Sequence, residues 1–311
     1  MAVWLGLGGT LLGLFLLIWG SNLLIDGSAG LAKKKGISGH VIGLTLVATA
    51  TSLPELATAI TATLVGNHGI AIGNVVGSNA FNVGFVLAIG ALIVPILPDR
   101  SATRDGLIVL VATGLFAIFA VLTGKGIGRI EALVLFLLYG FYVIYLIRTT
   151  KISGQVEVGD KTSFALLGMI LIGTLFLFIG SPILVNSAVR LSRVWGVEDS
   201  VIAVTLIAAG TSLPELIAGV TAAVKGHEGI AVGNVLGSNL FNILLIPGIA
   251  ALIHPLDISP LLGQALIPGM LLITAIAVLL TTRKLGKKEG VLLLVGFTLF
   301  FILSLRDVIP M

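Results

Sequence analysis

The feature that most constrains the fold is an internal repeat. Residues 41–95 return without a gap as residues 201–255, and 30 of the 55 aligned positions are identical. Upstream, the stretches WGSNLLIDGS and IGSPILVNSA follow the same register. Both copies place the letters TSLPEL inside long apolar stretches, VIGLTLVATATSLPELATAITATLV and VIAVTLIAAGTSLPELIAGVTAAV. The chain is therefore one structural unit written twice, and any fold must accommodate the two copies equivalently.

The composition places both units in a membrane. Of the 311 residues, 57% are hydrophobic and 10% are charged, whereas a soluble domain carries about 25% charged residues. We therefore predict an all-α integral membrane protein. The chain has no cysteine, which excludes disulfides, thiolate metal sites and cysteine nucleophiles. Its basic residues lie in short loops, which favours contact with lipid headgroups over nucleic acid.

Apolar runs of about 20 residues are typical of membrane-spanning helices. The first run lacks a basic leading segment and a good cleavage site, so we interpret it as a span and not as a signal peptide. Ten spans are predicted, at 3–25, 39–64, 69–94, 105–123, 129–147, 163–186, 199–224, 229–254, 260–281 and 289–305.

Five spans in each unit make the second unit enter the bilayer upside down. With the N-terminus on one side, that side carries 5 of the 18 Lys and Arg residues and the opposite side carries 13. The richer side is expected to be cytoplasmic, so both termini face outward and the central loop faces the cytoplasm of a cell (plasma or inner) membrane. We predict a first repeat at 1–150, a linker at 151–162 and an inverted second repeat at 163–311. Inverted repeats with broken helices are typical of secondary transporters.

The proline of each TSLPEL copy predicts a break in its helix. Pro54 has no N–H to offer the carbonyl of Ala50, and Pro214 leaves the carbonyl of Gly210 in the same position. Lipid supplies no donor to such a carbonyl, so the break must line a polar cavity or meet a neighbour. A freed carbonyl is also a hard oxygen ligand for Na⁺ or Ca²⁺.

The glutamate of each copy is the more informative residue. Of the 14 acidic residues, only Glu55 and Glu215 fall at mid-membrane, where a charge costs at least ~2.5–3.5 kcal/mol. No Lys, Arg or His falls deep in a span, and the histidines lie near span ends, where solvent-exposed positions are expected: His40, His68, His227 and His254. Each glutamate must therefore be protonated or be neutralised by a metal ion from outside.

Hydroxyl and amide groups accompany these glutamates. Thr51 and Ser52 precede Glu55 by four and three residues, and Thr211 and Ser212 precede the second glutamate in the same way, so they are expected on its helical face. Spans 3 and 8 each carry an Asn, a Ser and an Asn spaced four residues apart on one face: Asn74, Ser78, Asn82, and Asn234, Ser238, Asn242. The set contains only oxygen ligands, which suits Na⁺, Ca²⁺ or Mg²⁺ and disfavours Zn²⁺.

Small residues on spans 3 and 8 predict close helix packing. The pairs Gly73 with Gly77 and Gly233 with Gly237 are spaced four residues apart, a pattern that lets membrane helices approach closely. We expect them to bring the Asn and Ser face to the glutamates of spans 2 and 7. Two carboxylates match one divalent ion or several monovalent ions, and competition for them is a physical basis for exchange.

The copies of TSLPE, with GNVVGSNAFN and GNVLGSNLFN, resemble the α-repeats of the sodium/calcium exchangers, in the cation/Ca²⁺ antiporter superfamily. The resemblance covers nearly the whole chain. It implies a site between spans 2, 3, 7 and 8, with Glu55 and Glu215 as shared Ca²⁺ and Na⁺ ligands, and spans 1 and 6 sliding across the other eight. It also implies flanking Na⁺ positions lined by Thr51, Ser52, Thr211, Ser212, Ser78 and Ser238 and by the backbone carbonyls of Ala48 and Ala208.

One departure from the family pattern leaves the coupling ion open. Members that exchange several Na⁺ for Ca²⁺ often carry an acid where this chain has Asn242, and Asn82 holds the matching position in the first repeat. The leading hypothesis is a Ca²⁺/Na⁺ antiporter, and the alternative is an H⁺/Ca²⁺ or K⁺-dependent antiporter on the same fold. The other classes are an intramembrane enzyme and a channel or passive scaffold, and a two-sided repeat disfavours the enzyme. We expect no cofactor, no obligate protein partner and a monomer.

Overall fold

The computed structural model describes residues 2–96, 100–122, 126–150, 161–195, 210–282 and 284–305. Within these residues the backbone forms helices joined by short connections, and the only strand-like pairing is two isolated bridges. The helices are α1 (Ala2–Lys35), α2 (Gly39–Thr51), α3 (Leu53–Leu64), α4 (His68–Ile93), α5 (Arg100–Ala117, continued by a π-helical turn at Ile118–Leu122), α6 (Arg129–Thr149), α7 (Ser163–Val194), α8 (Leu213–Val224), α9 (Glu228–Ile253), α10 (Leu262–Leu280) and α11 (Lys287–Leu305).

The helices have the length and composition of membrane spans. Seven of the described helices are long and apolar enough to cross a bilayer, and the bent pair of α2 and α3 makes an eighth. Large apolar side chains lie on the outer surface, including Trp4, Ile130 and Phe164, at 77%, 79% and 87% exposure. Because water does not favour such a surface, the prediction of an all-helical membrane protein is confirmed.

Two helices extend beyond the predicted spans. α1 ends at Lys35 and α7 ends at Val194, whereas hydropathy placed the ends of these spans at residues 25 and 186. Hydropathy marks the apolar part of a helix, and the helical backbone continues into the polar residues that follow. Basic residues occupy the last turn of both helices, where they stabilise the carboxyl end of the helix dipole.

α1 and α7 form an antiparallel pair in close backbone contact. A Cβ placed on Gly20 would lie 2.9 Å from the carbonyl oxygen of Gly173, and a Cβ on Gly173 would lie 2.6 Å from that of Gly20. The same contact continues at both ends, where Gly13 meets the backbone of Leu184 and Gly27 meets the carbonyl of Leu166. Small residues permit this approach in membrane helices, so α1 and α7 pack as one two-helix unit.

α9 packs equally closely against α2 of the other half. A Cβ on Gly237 would lie 2.3 Å from the carbonyl oxygen of Leu44, and one on Gly233 would lie 2.4 Å from that of His40. The predicted small-residue contact is thus confirmed for the second copy, and its partner is span 2. For Gly73 and Gly77 it stays a prediction, because the equivalents of His40 and Leu44 in the second half, residues 200 and 204, lie outside the described residues.

The two bridges join equivalent places in the two halves. Ile96 and Leu285 exchange two backbone hydrogen bonds of 2.9 Å, and Ile127 and Leu256 exchange two of the same length. Ile96 and Leu256 stand 160 residues apart, the offset of the sequence repeat. Each bridge therefore ties the segment that follows span 3 or span 8 to the other half of the chain.

One expectation about histidine is wrong. His40 is buried, with 4% exposure, and its Nε2 lies 3.0 Å from Oδ2 of Asp105, which is fully buried at the start of α5. Arg104 contacts both oxygens of the same carboxylate, at 3.0 and 3.1 Å. Near the end of a span, a histidine is removed from solvent when a neighbouring helix supplies a carboxylate, and the position of Asp105 in space is not visible in the local sequence.

Candidate ion-binding site

Both TSLPEL copies form the predicted break. α2 and α3 meet at Ser52 with a bend of 45°, and Pro54 lies in the first turn of α3, where its missing N–H costs no hydrogen bond. α8 begins in the same way after Ser212, whose backbone angles match those of Ser52 within a few degrees (φ −89°, ψ 8° and φ −87°, ψ 7°). Each break places a glutamate in the first turn of the following helix.

The carboxylates of Glu55 and Glu215 are fully buried and are held by serines of the opposite half. Ser52 donates a hydrogen bond of 2.8 Å to Oε1 of Glu215, and Ser212 donates one of 3.0 Å to Oε1 of Glu55. Ser78 of α4 lies 2.9 Å from the Ser212 hydroxyl and 3.4 Å from the same Glu55 oxygen. The sequence associated each serine with the glutamate of its own copy, whereas these hydrogen bonds run to the glutamate of the other copy. The helix breaks at the serine, so the i to i+3 geometry of a continuous helix does not hold there.

Asn74 and Asn234 brace the breaks. Asn74 donates 3.1 Å to the backbone carbonyl of Glu55 and accepts 3.2 Å from the hydroxyl of Thr211. Asn234 does the same in the other half, donating 3.4 Å to the carbonyl of Glu215 and accepting 3.1 Å from Thr51. Both ends of each amide are occupied, so these asparagines hold the helix breaks together across the two halves.

Asn82 and Asn242 lie in irregular helical turns. Each is fully buried within a π-helical turn, Asn82–Val86 in α4 and Phe241–Leu245 in α9. Such turns are rare and recur at functional sites, and sequence patterns did not indicate them. Neither amide has a hydrogen-bond partner among the described residues, at nitrogen or at oxygen.

Two of the backbone carbonyls considered for the site, those of Gly210 and Ala48, have different partners. The carbonyl of Gly210 accepts a hydrogen bond of 2.7 Å from Ser181 of α7, so a neighbour satisfies it as the sequence predicted. The carbonyl of Ala48 accepts from the Ser52 amide at 3.0 Å and from the Thr51 hydroxyl at 3.3 Å. Thr51 also lies 3.4 Å from the hydroxyl of Ser238. Ala208, the equivalent of Ala48, lies outside the described residues.

Among the described residues, each of the two carboxylates lacks a counter-charge, and one of its oxygens lacks a hydrogen-bond partner. Oε2 of Glu55 and Oε2 of Glu215 are buried without a hydrogen-bond partner in the described part of the chain, and none of its ion pairs includes either residue. A buried carboxylate oxygen without a partner is costly. These two oxygens and the unpartnered amide oxygens of Asn82 and Asn242 are hard donors, the type that Na⁺ and Ca²⁺ prefer.

Comparison with known proteins agrees with this chemistry. The family model described as sodium/calcium exchanger protein matches residues 5–148 and 165–306. The chain is 33% identical to the sodium/calcium exchanger MaX1 of Methanosarcina acetivorans, over 94% of this chain and 96% of the relative, and 36% identical to an uncharacterized membrane protein of Methanocaldococcus jannaschii, over 97% and 98%. A solved structure of the sodium-calcium exchanger NCX_Mj, soaked with zero Na⁺ and Ca²⁺, superimposes with a TM-score of 0.87 at 31% identity and covers 98% of this chain and all of that one. The chain belongs to the sodium/calcium exchanger family.

Proposed function

We propose that the protein is a secondary active antiporter that exchanges Ca²⁺ for Na⁺ across a cell membrane by alternating access. The observation that carries the proposal is the pair of buried carboxylates, each with one oxygen held by a serine and one without a partner. With no protein cation beside them among the described residues, their counter-charge must come from solution. Membership of an exchanger family supports transport and gives no support to an enzymatic reaction.

The ligands fall into two groups. Glu55 and Glu215 bind Ca²⁺ and Na⁺ in turn, and the free amide oxygens of Asn82 and Asn242 complete the coordination of the ions between them. The remaining ligands line the Na⁺ positions beside each carboxylate: Thr51, Ser52, Thr211, Ser212, Ser78, Ser238 and the carbonyls of Ala48 and Ala208. Asn74, Asn234, Pro54 and Pro214 support the site without binding an ion.

Exchange follows from competition for the two carboxylates. One Ca²⁺ neutralises both charges, and Na⁺ ions neutralise them separately, so both ions cannot occupy the carboxylates together. An ion-free site leaves two charges buried without compensation, which makes the change between the outward-open and inward-open arrangements unfavourable while the site is empty. The protein therefore switches between its outward-open and inward-open arrangements when Ca²⁺ or Na⁺ is bound.

The proposed topology is ten spans in two inverted repeats, at 1–150 and 163–311, joined by a cytoplasmic linker at 151–162. Both termini face outward, and the chain acts as a monomer in the cell membrane. The equivalent bridges at Ile96 and Leu256 and the equivalent breaks at Ser52 and Ser212 support this symmetry. The unit of α1 and α7 is the part that slides across the remaining helices.

The deciding experiment is uptake of radioactive Ca²⁺ into proteoliposomes loaded with Na⁺. We expect uptake that requires the outward Na⁺ gradient and that is lost in Glu55→Gln. Uptake that follows a pH gradient without Na⁺ would favour the H⁺-coupled alternative. Ca²⁺ flux without any counter-ion would indicate a channel, and folded protein without any Na⁺-dependent uptake would refute the proposal.

A further inference from the structure

The contacts between the sliding unit and the remaining helices differ between the two halves. α1 packs along α8, with Leu24 and Ile25 in one buried cluster with Ala218 and Ala222. The equivalent pair, α7 and α3, instead leaves an apolar groove of about 560 Å³, lined by side chains that include Leu56 and Phe178. In the proposed topology α8 is the cytoplasmic half of span 7 and α3 is the outer half of span 2. The inner side of the molecule is therefore closed by α1, and the outer side is not closed by α7.

Two polar contacts fasten α1 to α8. Ser21, which is fully buried, lies with its hydroxyl 2.8 Å from that of Thr221. One helical turn further on, Nζ of Lys225 lies 2.7 Å from Oδ1 of Asp26. The two contacts follow one another along the inner ends of the two helices, at the place where they would separate if the inner side opened.

The repeat offset shows that the outer side lacks the ion pair. Adding 160 to Asp26 gives Asn186, and subtracting 160 from Lys225 gives Val65, so neither equivalent position carries a charge. The hydroxyl contact is also absent among the described residues of that side. Ser181, the equivalent of Ser21, donates to the carbonyl of Gly210, and Thr61, the equivalent of Thr221, is exposed.

We propose that Asp26 and Lys225 form a one-sided latch that holds the cytoplasmic gate closed and thereby favours the outward-facing arrangement of the carrier. The latch proposal rests on the proposed function, because the proposed topology identifies which side of the molecule is cytoplasmic. Because the pair must break whenever the site opens inward and no matching pair must break when it opens outward, the two directions of movement have unequal costs. Asp26 and Lys225 do not contact the ion, and they act on the equilibrium between the outward-facing and inward-facing arrangements.

A disulfide reporter tests the latch, because the chain has no native cysteine. Ser21→Cys with Thr221→Cys places two thiols where the hydroxyls lie 2.8 Å apart, which allows a disulfide while the gate is closed. Ser181→Cys with Thr61→Cys is the matched pair on the outer side. We expect rapid cross-linking of the inner pair by copper phenanthroline, slow cross-linking of the outer pair, and loss of transport on cross-linking that a reductant reverses.

Charge variants on the inner-pair background then test the ion pair itself. Asp26→Lys should slow cross-linking by about twofold to fivefold, the range expected of a partly exposed pair, and adding Lys225→Asp should restore the rate. Without the reporter cysteines, Asp26→Lys should raise the apparent KM for external Ca²⁺ by a similar factor. Asp26→Asn removes the charge without reversing it and serves as the milder variant. Its melting temperature and monodispersity verify that it is folded.

The outcomes separate the latch from the function. An unchanged cross-linking rate in Asp26→Lys, a failure of the reversed pair to restore it, or equal cross-linking of the two cysteine pairs would each overturn the latch. Absence of Na⁺-driven Ca²⁺ uptake by the unmodified chain would instead overturn the proposed function, and the cross-linking comparison would still report whether the ion pair closes one side.

Discussion

Replacing Glu55 by glutamine separates binding from stability. The side chain keeps its shape, and the Ser212 hydroxyl that donates to Oε1 at 3.0 Å can still donate to the amide oxygen. What is lost is one of two negative charges and the second carboxylate oxygen, which has no other partner among the described residues. Removing one member of a buried charge interaction costs about 2–5 kcal/mol of binding free energy. The dissociation constant for Ca²⁺ should therefore rise by about 30-fold or more.

The same substitution should leave the ion-free protein intact. Burying a carboxylate without a counter-charge is unfavourable, so exchanging it for a neutral amide should leave the ion-free melting temperature unchanged or higher. Ligand binding stabilises the folded state by RT ln(1 + [L]/Kd), which is about 2.7 kcal/mol when Ca²⁺ is present at 100 times its dissociation constant. With a dissociation constant 30-fold higher, the same Ca²⁺ concentration contributes about 0.9 kcal/mol.

The assay is a thermal melt in detergent with and without Ca²⁺, paired with uptake in proteoliposomes. Glu131→Gln is the matched control, because Glu131 lies in the first turn of α6, away from the site, and should keep both the Ca²⁺-induced shift and the transport. Glu215→Gln should behave as Glu55→Gln does. A variant that melts earlier without ions but keeps the full Ca²⁺ shift would assign the glutamate a structural role and refute the reasoning.

Three further substitutions test the surroundings of the site. Asn242→Asp places a carboxylate at a fully buried position, in addition to those of Glu55 and Glu215. We expect a higher apparent affinity for Na⁺ in transport assays. An unchanged dependence of transport on Na⁺ concentration would show that this residue does not bind the ion. Gly237→Ala places a methyl group 2.3 Å from the carbonyl oxygen of the facing helix and should lower the free energy of unfolding by about 1–3 kcal/mol; Gly140→Ala, which meets nothing within 4 Å, is the control, and equal losses would contradict the packing argument. His40→Ala leaves Asp105 buried with Arg104 as its remaining ion-pair partner among the described residues and should cost about 1.5–3 kcal/mol in the same melts, whereas no loss would show that the pair is not stabilising.

The parts of the fold that could be predicted are those that depend on position along one helix. A long apolar segment predicts a membrane helix regardless of what the helix packs against, and Pro54 breaks its own helix regardless of its surroundings. The class of protein and the bend at Ser52 could therefore be predicted from the sequence. The absence of Lys, Arg and His from mid-span positions equally predicted that Glu55 and Glu215 have no protein cation beside them, which agrees with the ion pairs of the described residues. The burial of His40 could not be predicted from the sequence, because it depends on where α5 places Asp105 in space.

The pairing of serines with glutamates shows why the site itself could be only partly predicted. Two arrangements respect the repeat equally well: Ser52 with Glu55 and Ser212 with Glu215, or Ser52 with Glu215 and Ser212 with Glu55. Sequence symmetry cannot choose between them, because shifting by 160 residues converts each arrangement into itself. The folded chain adopts the second arrangement, in which Ser52 and Ser212 donate to Glu215 and Glu55 at 2.8 and 3.0 Å. Each carboxylate thus accepts a hydrogen bond from a serine of the opposite half, so both carboxylates lie where the two halves meet.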